Sequence, residues 1–99
     1  MKTIYKYPMP AGGGSRRTMP KGFKPLSVGL DPRDVLCLWA EVDTEAPLVN
    51  VDFASVGTGW VFEDLKTVGV DLEEYTFIGT VYDGLMYMWH YYYKILEDA

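Results

Sequence analysis

Val35-Leu36-Cys37-Leu38-Trp39-Ala40-Glu41-Val42 decides the fold. On an extended chain successive side chains alternate between faces, so one face carries Val35, Cys37, Trp39 and Glu41 and the other Leu36, Leu38, Ala40 and Val42. Both faces are largely apolar, which marks a strand covered on two sides and therefore central in its sheet. Upstream, Asp31-Pro32-Arg33-Asp34 reads as a turn because proline presets φ, and the alternation Leu26, Val28, Leu30 reads as the strand before it. Downstream, Asp43 to Pro47 supplies another turn, and Leu48 to Val56 alternates Val49, Val51 and Phe53 with Asn50 and Asp52, a half-buried pattern with one wet face.

The same period of two runs to both ends. Ile4-Tyr5-Lys6-Tyr7 opens a short strand that Pro8 and Pro10 stop; Gly12-Gly13-Gly14-Ser15 reads as a mobile hairpin tip, with Arg16 to Met19 returning as its partner. Residues 61–74 are the least regular, and a short helix there would be anchored by Val61, Phe62, Leu65, Val68 and Leu72. Tyr75 to Tyr82 and Leu85 to Ile95 flank Asp83-Gly84, a type I′ hairpin signal. The reading is all-β, a small antiparallel sandwich or partly open barrel of about five to seven strands. A chain of 99 residues holds one such domain, residues 1–99.

In the last strand Leu85, Tyr87, Trp89, Tyr91, Tyr93 and Ile95 share one face and Met86, Met88, His90, Tyr92 and Lys94 the other, so almost no position is built for water. Four Phe, eight Tyr and three Trp exceed what a core this small hides comfortably. The surplus points to self-association through the C-terminal hairpin, with tyrosines at the rim of a small closed barrel as the competing explanation.

Charge divides the chain. Residues 1–30 carry Lys2, Lys6, Arg16, Arg17, Lys21 and Lys24 without an acid, while residues 31–99 set 14 acids against Arg33, Lys66 and Lys94, for a net −5. A net negative chain is a poor general binder of nucleic acid. The split can mean an acidic face for a basic partner, a basic arm for anions, or strands of opposite sign paired in one sheet. No run reaches the roughly 18 apolar residues of a membrane span, and the first residues lack a secretory hydrophobic stretch, which makes the cytoplasm the expected compartment.

Chemistry is scarce. Cys37 is the single cysteine and His90 the single histidine, too few for a structural metal site, and Cys37 alternates within an apolar strand where a core role outweighs a dyad with His90. Glu73 and Glu74 would point to opposite faces of an extended chain, unlike a hydrolytic carboxylate pair. Gly12-Gly13-Gly14-Ser15-Arg16-Arg17 lacks the ending of a phosphate loop, and Gly57-Thr58-Gly59 lacks the third glycine of a dinucleotide fingerprint and reads as a β-bulge that re-aims Trp60. No enzyme, cofactor or metal is expected.

Several pieces form a recognisable order: Ile4-Tyr5-Lys6-Tyr7-Pro8, Met19-Pro20-Lys21-Gly22, Leu36-Cys37-Leu38-Trp39-Ala40 with Val42-Asp43 and Ala46-Pro47, Val56-Gly57-Thr58-Gly59, Ile78-Gly79-Thr80-Val81 and Trp89-His90. Together they resemble a family of short, functionally uncharacterised proteins of bacteriophage and prophage genomes. The resemblance covers most of the chain and carries no activity with it. It implies an accessory role in a host cell, and it departs from the family at Gly12 to Ser15 and in the longer, more acidic stretch between Gly59 and Ile78. The leading expectation is a homo-oligomeric binding protein, a counter-defence or host-takeover inhibitor. Its contacts to a host protein are expected at Glu63, Asp64, Glu73, Glu74, Trp60, Tyr87, Trp89 and Tyr91. The alternatives are a sponge for an anionic nucleotide signal, held by Arg16, Arg17 and Lys21 against Trp39 or Trp60, and a minor virion or assembly component.

Overall fold

Alternating apolar residues build seven strands in a computed structural model that describes residues 1–98. In chain order they are β1 (Lys2–Pro8), β2 (Gly13–Pro20), β3 (Lys24–Leu30), β4 (Leu36–Asp43), β5 (Leu48–Gly57), β6 (Thr76–Tyr82) and β7 (Met88–Asp98), with a short helix α1 (Phe62–Lys66) and one 3-10 turn (Leu72–Glu74) between β5 and β6. They form two antiparallel sheets, one ordered β1-β4-β3 and the other β2-β5-β7-β6. The all-β sandwich read from the periodicity is what the chain adopts, and its sheets do not close into a barrel. Among the described residues no helix is long and apolar enough to cross a membrane.

As its doubly apolar pattern requires, β4 is the central strand of its sheet. Leu38, Ala40 and Val42 point into the space between the sheets and meet Val49, Val51 and Phe53 of β5, Met19 of β2, and Trp89 and Tyr91 of β7 in one core. Cys37 is buried too, on the other face of β4, and burial pushes its thiol pKa up. It packs as a small core residue.

The first hairpin of the sequence reading does not form. Strand β1 pairs with β4, with Lys6 opposite Trp39, while β2 pairs with β5, with Arg17 opposite Val51. The glycines before Arg16 are therefore ladder and crossing residues rather than a loose tip. Gly12, at φ 83°, turns the chain from one sheet to the other and donates its N–H to Ser55 Oγ at 2.6 Å. A Cβ there would lie 3.3 Å from the Trp60 ring. Proline stops at Pro8 and Pro10 end a strand equally well before a hairpin and before a sheet-to-sheet crossing, which is why local pattern misassigned the partner.

Two turns also differ from expectation. Residues 83–87 form a five-residue loop in which only Gly84 takes positive φ, so the connection is not type I′ and β7 begins at Met88 rather than Leu85. Gly57 to Trp60 is a turn rather than a bulge, closed by the Trp60 N–H donating to the Gly57 carbonyl at 3.0 Å with Gly59 at φ 92°.

The outer face of β5 is only half wet. Asn50 and Asp52 meet solvent, but Ala54 and Val56, with Tyr92 of β7, lie beneath the segment between β5 and β6, where Leu65, Val70, Leu72 and Tyr75 form a second apolar cluster. This cover is what gives the middle of β7 two apolar faces.

Candidate functional site

The segment 58–75 is amphipathic across its thickness. Leu65, Val70 and Leu72 point down onto the sheet, while Glu63 and Asp64 in the first turn of α1 and Glu73 and Glu74 in the 3-10 turn point to water. The Asp71 carboxylate caps the 3-10 turn by accepting the Glu73 N–H at 3.1 Å. Glu74 reaches the Lys94 ammonium at 3.4 Å, and no such pair engages Glu63, Asp64 or Glu73 among the described residues. Val68, read as an anchor, is 72% exposed, and Val61 and Phe62 are exposed as well; Val70 takes the buried place instead. The helix is only five residues long, so its buried stripe is the single residue Leu65 and the 3.6 period has no length in which to show.

At one end of the sandwich the aromatics gather. Trp60 stands edge-on to Trp89 at 5.4 Å between centroids and 87° between planes, and Tyr87 tilts against Trp89 at 5.6 Å. The Trp60 indole lies over Gly57, where a Cβ would meet Nε1 at 2.8 Å, so a larger residue there would push the ring out of its place. A cleft of about 440 Å³ opens between Gly59, Trp60, Val61, Asp64 and Leu65. Beside it, His90 is clasped across strands: Thr58 Oγ1 lies 2.7 Å from Nε2 and Thr80 Oγ1 lies 2.8 Å from Nδ1. Hydroxyls both donate and accept, so the imidazole is fully hydrogen-bonded in either tautomer and ties β6, β7 and the Gly57–Trp60 turn together.

Asp83 organises the loop next to this cluster. Its Oδ1 accepts the backbone N–H groups of Leu85, Met86 and Tyr87 at 2.7, 2.9 and 3.2 Å, and its Oδ2 accepts the Trp89 indole N–H at 3.1 Å. The Leu85 N–H leads the donors that hold this carboxyl down at about 2. Asp31 does the same work in the neighbouring turn, accepting Arg33 and Val35 N–H groups and the Lys6 ammonium at 2.9 Å, and the Lys6 hydrogen bond is the main reason its carboxyl also falls to about 2. Neither role was read from the sequence, where Asp31 and Asp83 marked turn positions only.

Of the expected contact residues, Glu63, Asp64, Glu73, Glu74, Trp60 and Tyr87 are exposed. Trp89 and Tyr91 are not. Trp89 is the floor of the aromatic cluster, and Tyr91 is 1% exposed with its O–H donating to the Pro10 carbonyl at 2.9 Å; burial pushes that phenol up to about 12. Alternation placed both on the apolar face of β7, and that face proved to be the one turned into the core. Among the exposed apolar side chains that the sequence reading did not count as contacts, Phe62, Tyr82, Leu85, Met86 and Met88 lie at or near this end of the sandwich.

The residues named for an anion site do not converge. Arg16 and Arg17 alternate on β2: Arg16 is held by Asp52 at 2.8 and 3.3 Å, and Arg17 stacks over the Tyr7 ring at 5.3 Å and donates to the Pro8 carbonyl. Lys21 sits in the turn after β2, bonded through its N–H to Pro47, and Trp39 lies on the outer face of the other sheet. Cys37 and His90 likewise belong to different sheets. Among the described residues no three His, Cys, Asp or Glu side chains gather as metal ligands.

Comparison with known proteins gives one finding about kinship. A family model described as a domain of unknown function, DUF7352, matches residues 1–99. No curated protein and no solved structure matches the chain.

Proposed function

We propose, from the premise that this chain belongs to the DUF7352 family, that it is a non-enzymatic accessory protein of a phage or prophage that acts in the host cytoplasm by binding a host protein, as a counter-defence or host-takeover inhibitor. One observation carries the reading: the segment 58–75 is held on the sheet by Leu65, Val70 and Leu72 and turns Glu63, Asp64 and Glu73 outward, with Glu63 and Asp64 following the exposed Trp60, Val61 and Phe62 in the chain. An acidic, aromatic-edged surface fits a partner with a basic face, because complementary charge speeds encounter and large rings supply contact energy.

The test neutralises Glu63→Gln, Asp64→Asn, Glu73→Gln and Glu74→Gln together. All four are exposed, so folding should be unchanged. A bacterial protein captured by the immobilised wild-type chain should associate with the variant about tenfold more slowly and with a flatter dependence on salt. Equal association rates and equal salt dependence for both chains would sink the reading.

A further inference from the structure

The loop of residues 83–87 combines two properties that rarely coincide. Its side chains are exposed and apolar: Leu85 is 84% and Met86 77% exposed, with Tyr82, Tyr87 and Met88 beside them each about half exposed. Its backbone is nevertheless fixed. Three consecutive N–H groups bond one Asp83 oxygen, the Asp83 N–H donates to the Tyr87 carbonyl at 3.0 Å, and the Thr58 N–H donates to the Met88 carbonyl at 3.2 Å. Holding oily side chains rigidly in water costs solvation and gains nothing within the monomer, whereas it lowers the ordering entropy lost when a partner docks.

Charge identifies the occupant. Between Tyr82 and Met88 the one charged residue is Asp83, and both its oxygens are engaged internally. Pairing this tip with its own image therefore sets no free charge of the loop against its like, and the neighbouring turn carries one exposed charge of each sign, Arg33 and Asp34, while the acidic outer layer would repel a second copy of itself. The area also fits. At on the order of 200 Å² per large side chain, the five exposed residues present roughly 600 Å², so that a two-fold pair would bury about 1,200 Å², the lower bound of a standard specific interface. Met86 and Met88 add unbranched side chains that adapt to an imperfect surface.

We infer that the tip formed by Tyr82, Leu85, Met86, Tyr87 and Met88 is a two-fold interface between two copies of this chain. The tip includes none of Glu63, Asp64, Glu73 and Glu74, so the pairing does not draw on the acidic side chains of residues 63–74. It stands independently of the host-protein reading, since the layer can fail to bind while the tips still pair.

Sedimentation equilibrium over a wide concentration range tests it. The wild-type chain should weigh about twice 11.2 kDa at micromolar concentration. The double variant Leu85→Ser, Met86→Ser should raise the dissociation constant at least about 100-fold with an unchanged unfolding curve, because neither side chain is buried. Asp83→Asn, which removes the carboxylate and no apolar side chain, should weaken pairing by about tenfold through the loosened loop. Val68→Glu, an equally exposed apolar position away from the tip, should leave the dimer intact. A wild-type chain that stays at 11.2 kDa into the hundreds of micromolar, or a dimer that survives Leu85→Ser, Met86→Ser, overturns the inference.

Discussion

The two ends of the sandwich close their turns with the same chemistry and present opposite surfaces. At one end Asp43 Oδ1 accepts the Glu45 N–H at 3.1 Å and the N-terminal ammonium at 3.0 Å, and Thr44 N–H donates to the Met1 carbonyl. At the other, Asp31 and Asp83 hold their turns by accepting backbone N–H groups. Both ends thus use carboxylates as backbone ties. The side chains around them differ: Lys2, Asp43 and Glu45 beside Met1 and Leu48 at the first end; Trp60, Tyr87, Leu85 and Met86, beside the exposed Arg33 and Asp34, at the second. A turn needs its backbone satisfied whatever its side chains do, so the choice of outward-facing residues is free for another purpose. At the aromatic end that freedom is used for surface that water does not favour.

The comparison breaks most visibly at Trp89. It is 7% exposed and supports Trp60, Tyr87 and the Asp83 carboxylate together. Trp89→Ala should destabilise by about 3–5 kcal/mol, as large aromatic truncations in cores do, measured by the midpoint of urea unfolding. A shift close to zero would mean that the cluster is surface decoration.

Acid sharpens the contrast next. Asp31 and Asp83 both titrate at about 2 when folded against an ordinary 3.8. Folding therefore lowers proton affinity, and the stability they contribute is complete above about pH 4 and lost as pH falls through about 2. Unfolding followed from pH 5 to pH 2 should steepen in that window, and the slope should shrink in Asp83→Asn and in Asp31→Asn. Unaltered slopes in both variants would remove these carboxylates as the tie at the aromatic end. The smallest effect belongs to the polar end: Asp43→Ala separates an exposed pair and should leave the thermal midpoint within measurement error.

Much of this was readable in the chain. The doubly apolar run around Leu38 and Trp39 announced a central strand, and Val49, Val51 and Phe53 announced the core face of β5. Tyr91 and Trp89 were legible as large rings on one face but not as buried ones, because alternation tells which residues share a side and not which side is covered. Leu85 and Met86 were assigned to a strand when they belong to a loop, since Asp83-Gly84 suits both a tight hairpin and a wider loop folded around an aspartate.

The amino-acid order by itself determined the strands, their faces, the all-β class and the segregation of acids into the later part of the chain, since each follows from neighbours within a few residues. Only the tertiary structure decided that β1 joins β4 and β2 joins β5, that residues 58–75 cover the outer face of β5, and that the aromatic surplus divides into a buried floor and a rigid exposed tip. The reason is range: periodicity is set along the chain over a few ångströms, whereas pairing and exposure depend on which distant segment wins each open edge and face.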